Sequence, residues 1–133
     1  MRLETEAGAP VESPTEDQIQ QALEGLGRQA GTFAILTRRE EPLEYMQTSG
    51  DGDSFMVEFH EAGKHFRAAN EAMTFEDTLA LVTSYDRGDD AWRTLAPWLD
   101  VTKEVSGARW PVVAAIGVVT AGLVALVLYY SFK

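Results

Sequence analysis

Cysteine is absent from this chain. Disulfides, thiolate nucleophiles and thiolate metal sites are excluded with it. Histidine is nearly absent, since His60 and His65 are the two in 133 residues. Positive charge is scarce: 11 Lys and Arg stand against 21 Asp and Glu, a net of -10. Such a surface repels phosphate backbones and anionic lipid head groups, so nucleic acid is not expected as a partner. Solubility is the plain reason for the acidity. The stretch Met1–Asp17 is acidic and has no apolar run, so no signal peptide is expected.

What is present is concentrated near the C-terminus. Trp110 to Phe132, WPVVAAIGVVTAGLVALVLYYSF, contains no charged residue. A helix over this stretch would be roughly 33 Å long, about the thickness of a bilayer's hydrocarbon core. Arg109, Trp110, Tyr129, Tyr130 and Lys133 stand where interfacial anchors would be needed. Gly117, Ala121 and Ala125 recur at every fourth position, a spacing that lets a second helix approach closely. The sequence therefore predicts a single-pass, tail-anchored membrane protein. Lys103 and Arg109 ahead of the helix lead to the expectation that the domain lies on the cytoplasmic side of the membrane.

The organisation expected ahead of that segment is a disordered acidic arm (1–12), a small soluble α+β domain (13–100) and a polar linker (101–109), with the anchor at 110–133. Ser13, Pro14 and Glu16 form a helix start, and Ile19, Ala22, Leu23 and Leu26 draw one apolar stripe. TFAILT (32–37), LEYMQTS (43–49), Ser54–His60 and Lys64–Asn70 read as strands. Setting Phe59 opposite Phe66 also sets Glu58 opposite Arg67 and His60 opposite His65. That register collects aromatics on one face and an opposite-charge pair on the other. Thr74 caps a second helix with Phe75, Leu79, Val82 and Tyr85 inward, and Gly88 ends it. A short turn at 90–95 stops at Pro97. The fold class is α+β: helix, four-stranded antiparallel meander, helix, plus one C-terminal transmembrane helix.

No motif discloses a chemistry. His60 and His65 beside Glu58 and Glu61 could be zinc ligands, but a solvated hairpin end rarely supplies a pocket. Asp51 and Asp53 match only part of a calcium loop, and Gly25, Gly27 and Gly31 follow a helix rather than a strand. No catalytic residue, metal or cofactor is expected. Trp92 and Trp98 are core residues or a partner-docking surface.

The YMQT, VEF, HFRA and GDDAW segments with Trp98, spanning Ile19 to about Val101, resemble an uncharacterised set of small bacterial single-domain α+β proteins. The resemblance implies a fold and no activity. Together these readings predict a non-catalytic accessory subunit of a larger bacterial membrane complex, of respiratory or photosynthetic type, whose partners are the other subunits and, through the tail, membrane lipid. The alternative is a membrane-tethered binding module, such as an immunity protein or a secretion chaperone.

Overall fold

The computed structural model describes residues 1–107. Its elements run β1 (Arg2–Thr5), β2 (Val11–Glu12), α1 (Glu16–Glu24), β3 (Phe33–Glu40), β4 (Leu43–Asp51), β5 (Ser54–Glu61), β6 (Lys64–Ala68), α2 (Phe75–Arg87), α3 (Trp92–Leu95), β7 (Trp98–Asp100) and α4 (Thr102–Gly107). The strands form one seven-stranded sheet in the order β2-β1-β3-β4-β5-β6-β7, and every pairing in it is antiparallel.

The expected meander is the centre of this sheet. The hairpin β5–β6 has the anticipated register, Glu58 opposite Arg67, Phe59 opposite Phe66 and His60 opposite His65. Gly50 lies at the end of β4 with φ 122°, and a Cβ there would come within 2.2 Å of the Ser54 carbonyl oxygen, so the approach to the β4–β5 turn requires glycine.

The four-stranded class is corrected to seven strands. The arm expected to be disordered is a strand: β1 pairs with β3 through Leu3 opposite Leu36 and Glu4 opposite Ile35. At the far edge β7 pairs with β6. These additions span four, two and three residues, too few for alternation to declare itself in a sequence. The polar linker contains a helical turn, α4, started where the Thr102 N–H donates to Asp100 Oδ1 at 2.9 Å.

The membrane architecture is corrected as well. Among the described residues no helix is long and apolar enough to cross a membrane, and the longest, α2, has 13 residues. The segment that suggested an anchor lies outside the described residues, as do Arg109, Trp110, Gly117, Ala121, Ala125, Tyr129, Tyr130 and Lys133. A run without charge shows only that the segment avoids water. Hydropathy does not distinguish lipid from an apolar protein face as its alternative.

Helix α1 begins two residues later than the sequence suggests. Ser13 is occupied elsewhere, its N–H donating to the Met1 carbonyl at 2.7 Å. Thr15 is the cap: its Oγ1 accepts from the Gln18 N–H at 3.1 Å, and Gln18 Oε1 accepts from the Thr15 N–H at 2.9 Å. Thr15→Ala is expected to cost about 1 kcal/mol, the usual worth of such a cap, measured as a lower urea midpoint at unchanged slope. Gly88, at φ 82°, closes α2 in the left-handed conformation.

Alternation splits the sheet into two faces. One carries Leu3, Leu36, Met46, Phe55, Val57, Phe59 and Ala68 and packs with Ile19 and Leu23 of α1, Leu81, Val82 and Tyr85 of α2, and Trp92 of α3. The other carries a second cluster, Phe33, Ile35 and Tyr45 with Leu43 against them. That cluster contains strand residues only among those described.

Candidate functional site

The chemistry of the described residues gathers on this second face, and strand register builds it in rows. Arg2, Thr37, Tyr45, His60 and His65 form one row across the sheet. Glu4, Ile35, Gln47, Glu58 and Arg67 form the next. Phe33, Ser49 and Met56 form a third. Pairing across strands places these side chains together although they are scattered along the chain.

Glu58 is the charged centre. It is 6% exposed. Its Oε1 lies 2.7 Å from His65 Nε2 and its Oε2 accepts from Arg67 Nε at 3.0 Å. Burial pushes this carboxyl up, but the His65 and Arg67 contacts outweigh burial and hold it below the usual carboxylate range. Arg67 is opposed by burial too; Glu58, with smaller contributions from Glu104 and Glu71, keeps it above the usual guanidinium range. His60 stacks on Tyr45 with ring centroids 5.5 Å apart and planes within 5°. Burial, then the neighbouring His65, pushes the His60 imidazole down to about 4, so it is neutral at physiological pH. Burial also drives the Tyr45 phenol upward, with Glu58 adding to the effect.

Three buried polar atoms on this face have no hydrogen-bond partner among the described residues: Thr37 Oγ1, Tyr45 Oη and Gln47 Oε1. Each belongs to the two central rows. Buried polar atoms normally find partners, and leaving one without costs about 1–3 kcal/mol.

The sequence predicts a solvated histidine pair and a solvated ion pair on this hairpin. Instead His60 is 8% and His65 1% exposed, and the Glu58–Arg67 pair is part of a buried network. Among the described residues no group of three or more His, Asp and Glu side chains is placed to hold a metal ion. Glu61 lies away from this network and receives a two-pronged contact from Arg93, at 3.1 and 2.8 Å.

Trp92 and Trp98 belong elsewhere. Trp92 is fully buried, with Phe59 4.7 Å, Tyr85 5.2 Å and Trp98 6.0 Å away between ring centroids. It is a member of the core cluster. Trp98 is half-buried, edge-on to Phe59 at 4.7 Å. An open groove between α1 and the β1–β2 end, lined by Leu3, Thr5, Val11, Gln18, Ala22 and Ala30 among others, carries no titratable side chain.

Sequence reasoning missed Thr37, Tyr45 and Gln47 as members of a site. The available signal was the run Tyr45-Met46-Gln47-Thr48-Ser49, whose polar residues alternate with a core methionine in the middle of a sheet.

No protein-family model, curated protein or solved structure matches this chain. The resemblance to the small bacterial α+β set accordingly lends no role to any residue here, and function is read from the second face.

Proposed function

We propose that this protein is a non-catalytic binding module whose second sheet face holds a polypeptide segment. One observation carries the reading: apolar Phe33, Ile35 and Tyr45 share that face with Thr37 Oγ1, Tyr45 Oη and Gln47 Oε1, buried oxygens that have no partner among the described residues. A polypeptide offers both complements at once, apolar side chains for the cluster and N–H donors for the oxygens. Glu58 supports a structural rather than a catalytic use of the charges. Both of its oxygens are engaged, and His60 titrates far below the pH at which an acid–base catalyst would work. Of the two roles expected from the sequence, the binding module keeps its basis in this face, without the membrane tether.

Because the chain has no cysteine, Met56→Cys gives a single attachment point on this face at a partly exposed position. A benzophenone attached there in the full chain, expressed in its native cells and illuminated, should yield cross-linked peptides located by mass spectrometry. Cross-links to a polypeptide, from this chain or another, support the reading. Recovery of only unreacted or solvent-quenched probe overturns it.

A further inference from the structure

We infer that a cavity at the β1–β3 corner of the sheet is a binding site for a phosphate group. The inference stands apart from the reading of the second face and does not rest on it. The cavity has a volume of about 160 Å³, and its lining includes Arg2, Arg38 and Arg39, the carboxylates Glu12 and Glu40, and Thr37. That is room for about five water molecules at roughly 30 Å³ each, so one oxyanion group fills it and anything larger projects into solvent.

The charge here is reversed relative to the chain. The whole sequence has 21 acids and 11 bases, whereas this lining holds three guanidiniums and two carboxylates. Acids elsewhere on the surface are screened beyond about 8 Å at physiological ionic strength, so the local balance decides what enters.

The backbone is shaped for it. In a regular strand successive side chains point to opposite faces, so three consecutive residues do not line one cavity. Thr37, Arg38 and Arg39 do so, because the β3–β4 register shifts between Thr37 and Arg39. A bulge of this kind bends the strand and re-aims a side chain, a device that recurs next to active sites.

The donors are partly fixed and partly uncommitted. Arg38 is held in place: its Nη2 donates to the Tyr85 carbonyl at 2.9 Å, and its guanidinium lies over the Tyr85 ring at 4.1 Å. That contact uses one nitrogen of three. Arg39 is exposed and makes no ion pair among the described residues. Thr37 Oγ1 has no hydrogen-bond partner among the described residues, and its O–H is a donor that an oxyanion accepts. Arg2 is shared, meeting Glu4 at 3.2 Å and Glu40 at 2.8 Å. The Glu40 side chain is 64% exposed, so it can turn outward and yield Arg2 to a ligand.

These donors set the ligand class. Guanidiniums bind carboxylate and phosphate through paired N–H groups. Here they come from two strands, Arg2 on β1 and Arg38 and Arg39 on β3, with a hydroxyl between. A carboxylate has two oxygens in one plane. A phosphate monoester presents three acceptor oxygens and a charge of about −1.5 to −2, which matches donors arriving from two strands.

Isothermal titration calorimetry on the purified full chain at constant ionic strength tests this, with inorganic phosphate, glycerol 3-phosphate and acetate as probes. Inorganic phosphate should bind saturably with Kd below about 1 mM, and acetate roughly tenfold more weakly. Arg39→Gln should weaken phosphate binding by roughly tenfold or more, the scale of one charge-assisted hydrogen bond, at an unchanged urea midpoint. Glu40→Gln should tighten it by removing the competitor for Arg2. Tighter binding of glycerol 3-phosphate than of inorganic phosphate would support the site and assign the group to a small phosphorylated molecule; equal or weaker binding would support it and assign the free ion. No saturation by either phosphate, acetate binding as tightly as phosphate, or unchanged phosphate affinity in Arg39→Gln would overturn the inference.

Discussion

Trp92→Ala should cost about 3–5 kcal/mol, the range for truncating a large aromatic side chain in a packed core. The indole is fully buried and touches rings from three elements, Phe59 on β5, Tyr85 on α2 and Trp98 on β7. Its backbone N–H donates to Ser84 Oγ at 3.0 Å, and Ser84 in turn donates to Asp89. The same position therefore joins the α2 C-terminus to α3. Arg93 lies over the ring at 4.3 Å while holding Glu61 of β5, which ties α3 to the sheet from outside. Because a domain of this size is stable by only about 5–15 kcal/mol, the variant should be close to unfolding at 37 °C. Urea unfolding followed by far-UV circular dichroism checks it. A docking residue would behave differently, losing a partner at unchanged stability.

Acid should destabilise the fold in a window set by His60. The sign follows from proton counting. The imidazole titrates at about 4 in the folded protein and near 6.5 when unfolded. Between those values the unfolded chain binds a proton that the folded chain refuses, so stability is full above about pH 6.5 and falls as pH drops toward 4. The loss is on the order of 3 kcal/mol, since each pH unit between the two values contributes about 1.4 kcal/mol. Glu58 acts in the same direction further down, because its carboxyl is also held below its ordinary range. Among the described residues, the groups facing His60 include Tyr45, stacked on it, and His65, opposite it on β6. His60→Gln should therefore flatten the dependence of unfolding free energy on pH between 6.5 and 4, whatever its effect at pH 7. An unchanged slope in that variant would assign the acid response to the carboxylates instead.

The features behind these two expectations differ sharply in how visible they are in the sequence. The β5–β6 register is legible because Phe59–Phe66 and Glu58–Arg67 agree on one alignment, and a slip by one residue would break both. The α2 boundaries are legible because Thr74 and Gly88 have well-defined capping chemistry. The edge strands are not, since Leu3 alone carries the inward signal in β1 and Trp98 reads equally well as loop. Burial of the second face is hidden for a deeper reason. Period-two reading assigns Glu58, His60, His65 and Arg67 to water, because polar residues at alternate positions mean solvent in most sheets. What makes their burial tolerable is the diagonal contact of His65 with Glu58, and that depends on side-chain placement rather than on spacing. The uncharged run at 110–132 is easy to see and easy to overread, because avoidance of water does not name the alternative.

The sheet's two borders have a consequence for self-association. One is the two-residue β2 and the other the three-residue β7. Aggregation by strand recruitment needs a long, flat row of unsatisfied backbone groups on which another chain can crystallise. Neither border offers more than a few such groups, and each is followed at once by a change of direction, toward α1 after β2 and into α4 after β7. The long strands β3, β4 and β5 are each flanked on both sides. Fibril growth from the native state is thus disfavoured at both ends, and amyloid-type assembly of this domain would have to begin from a species in which the sheet has already come apart.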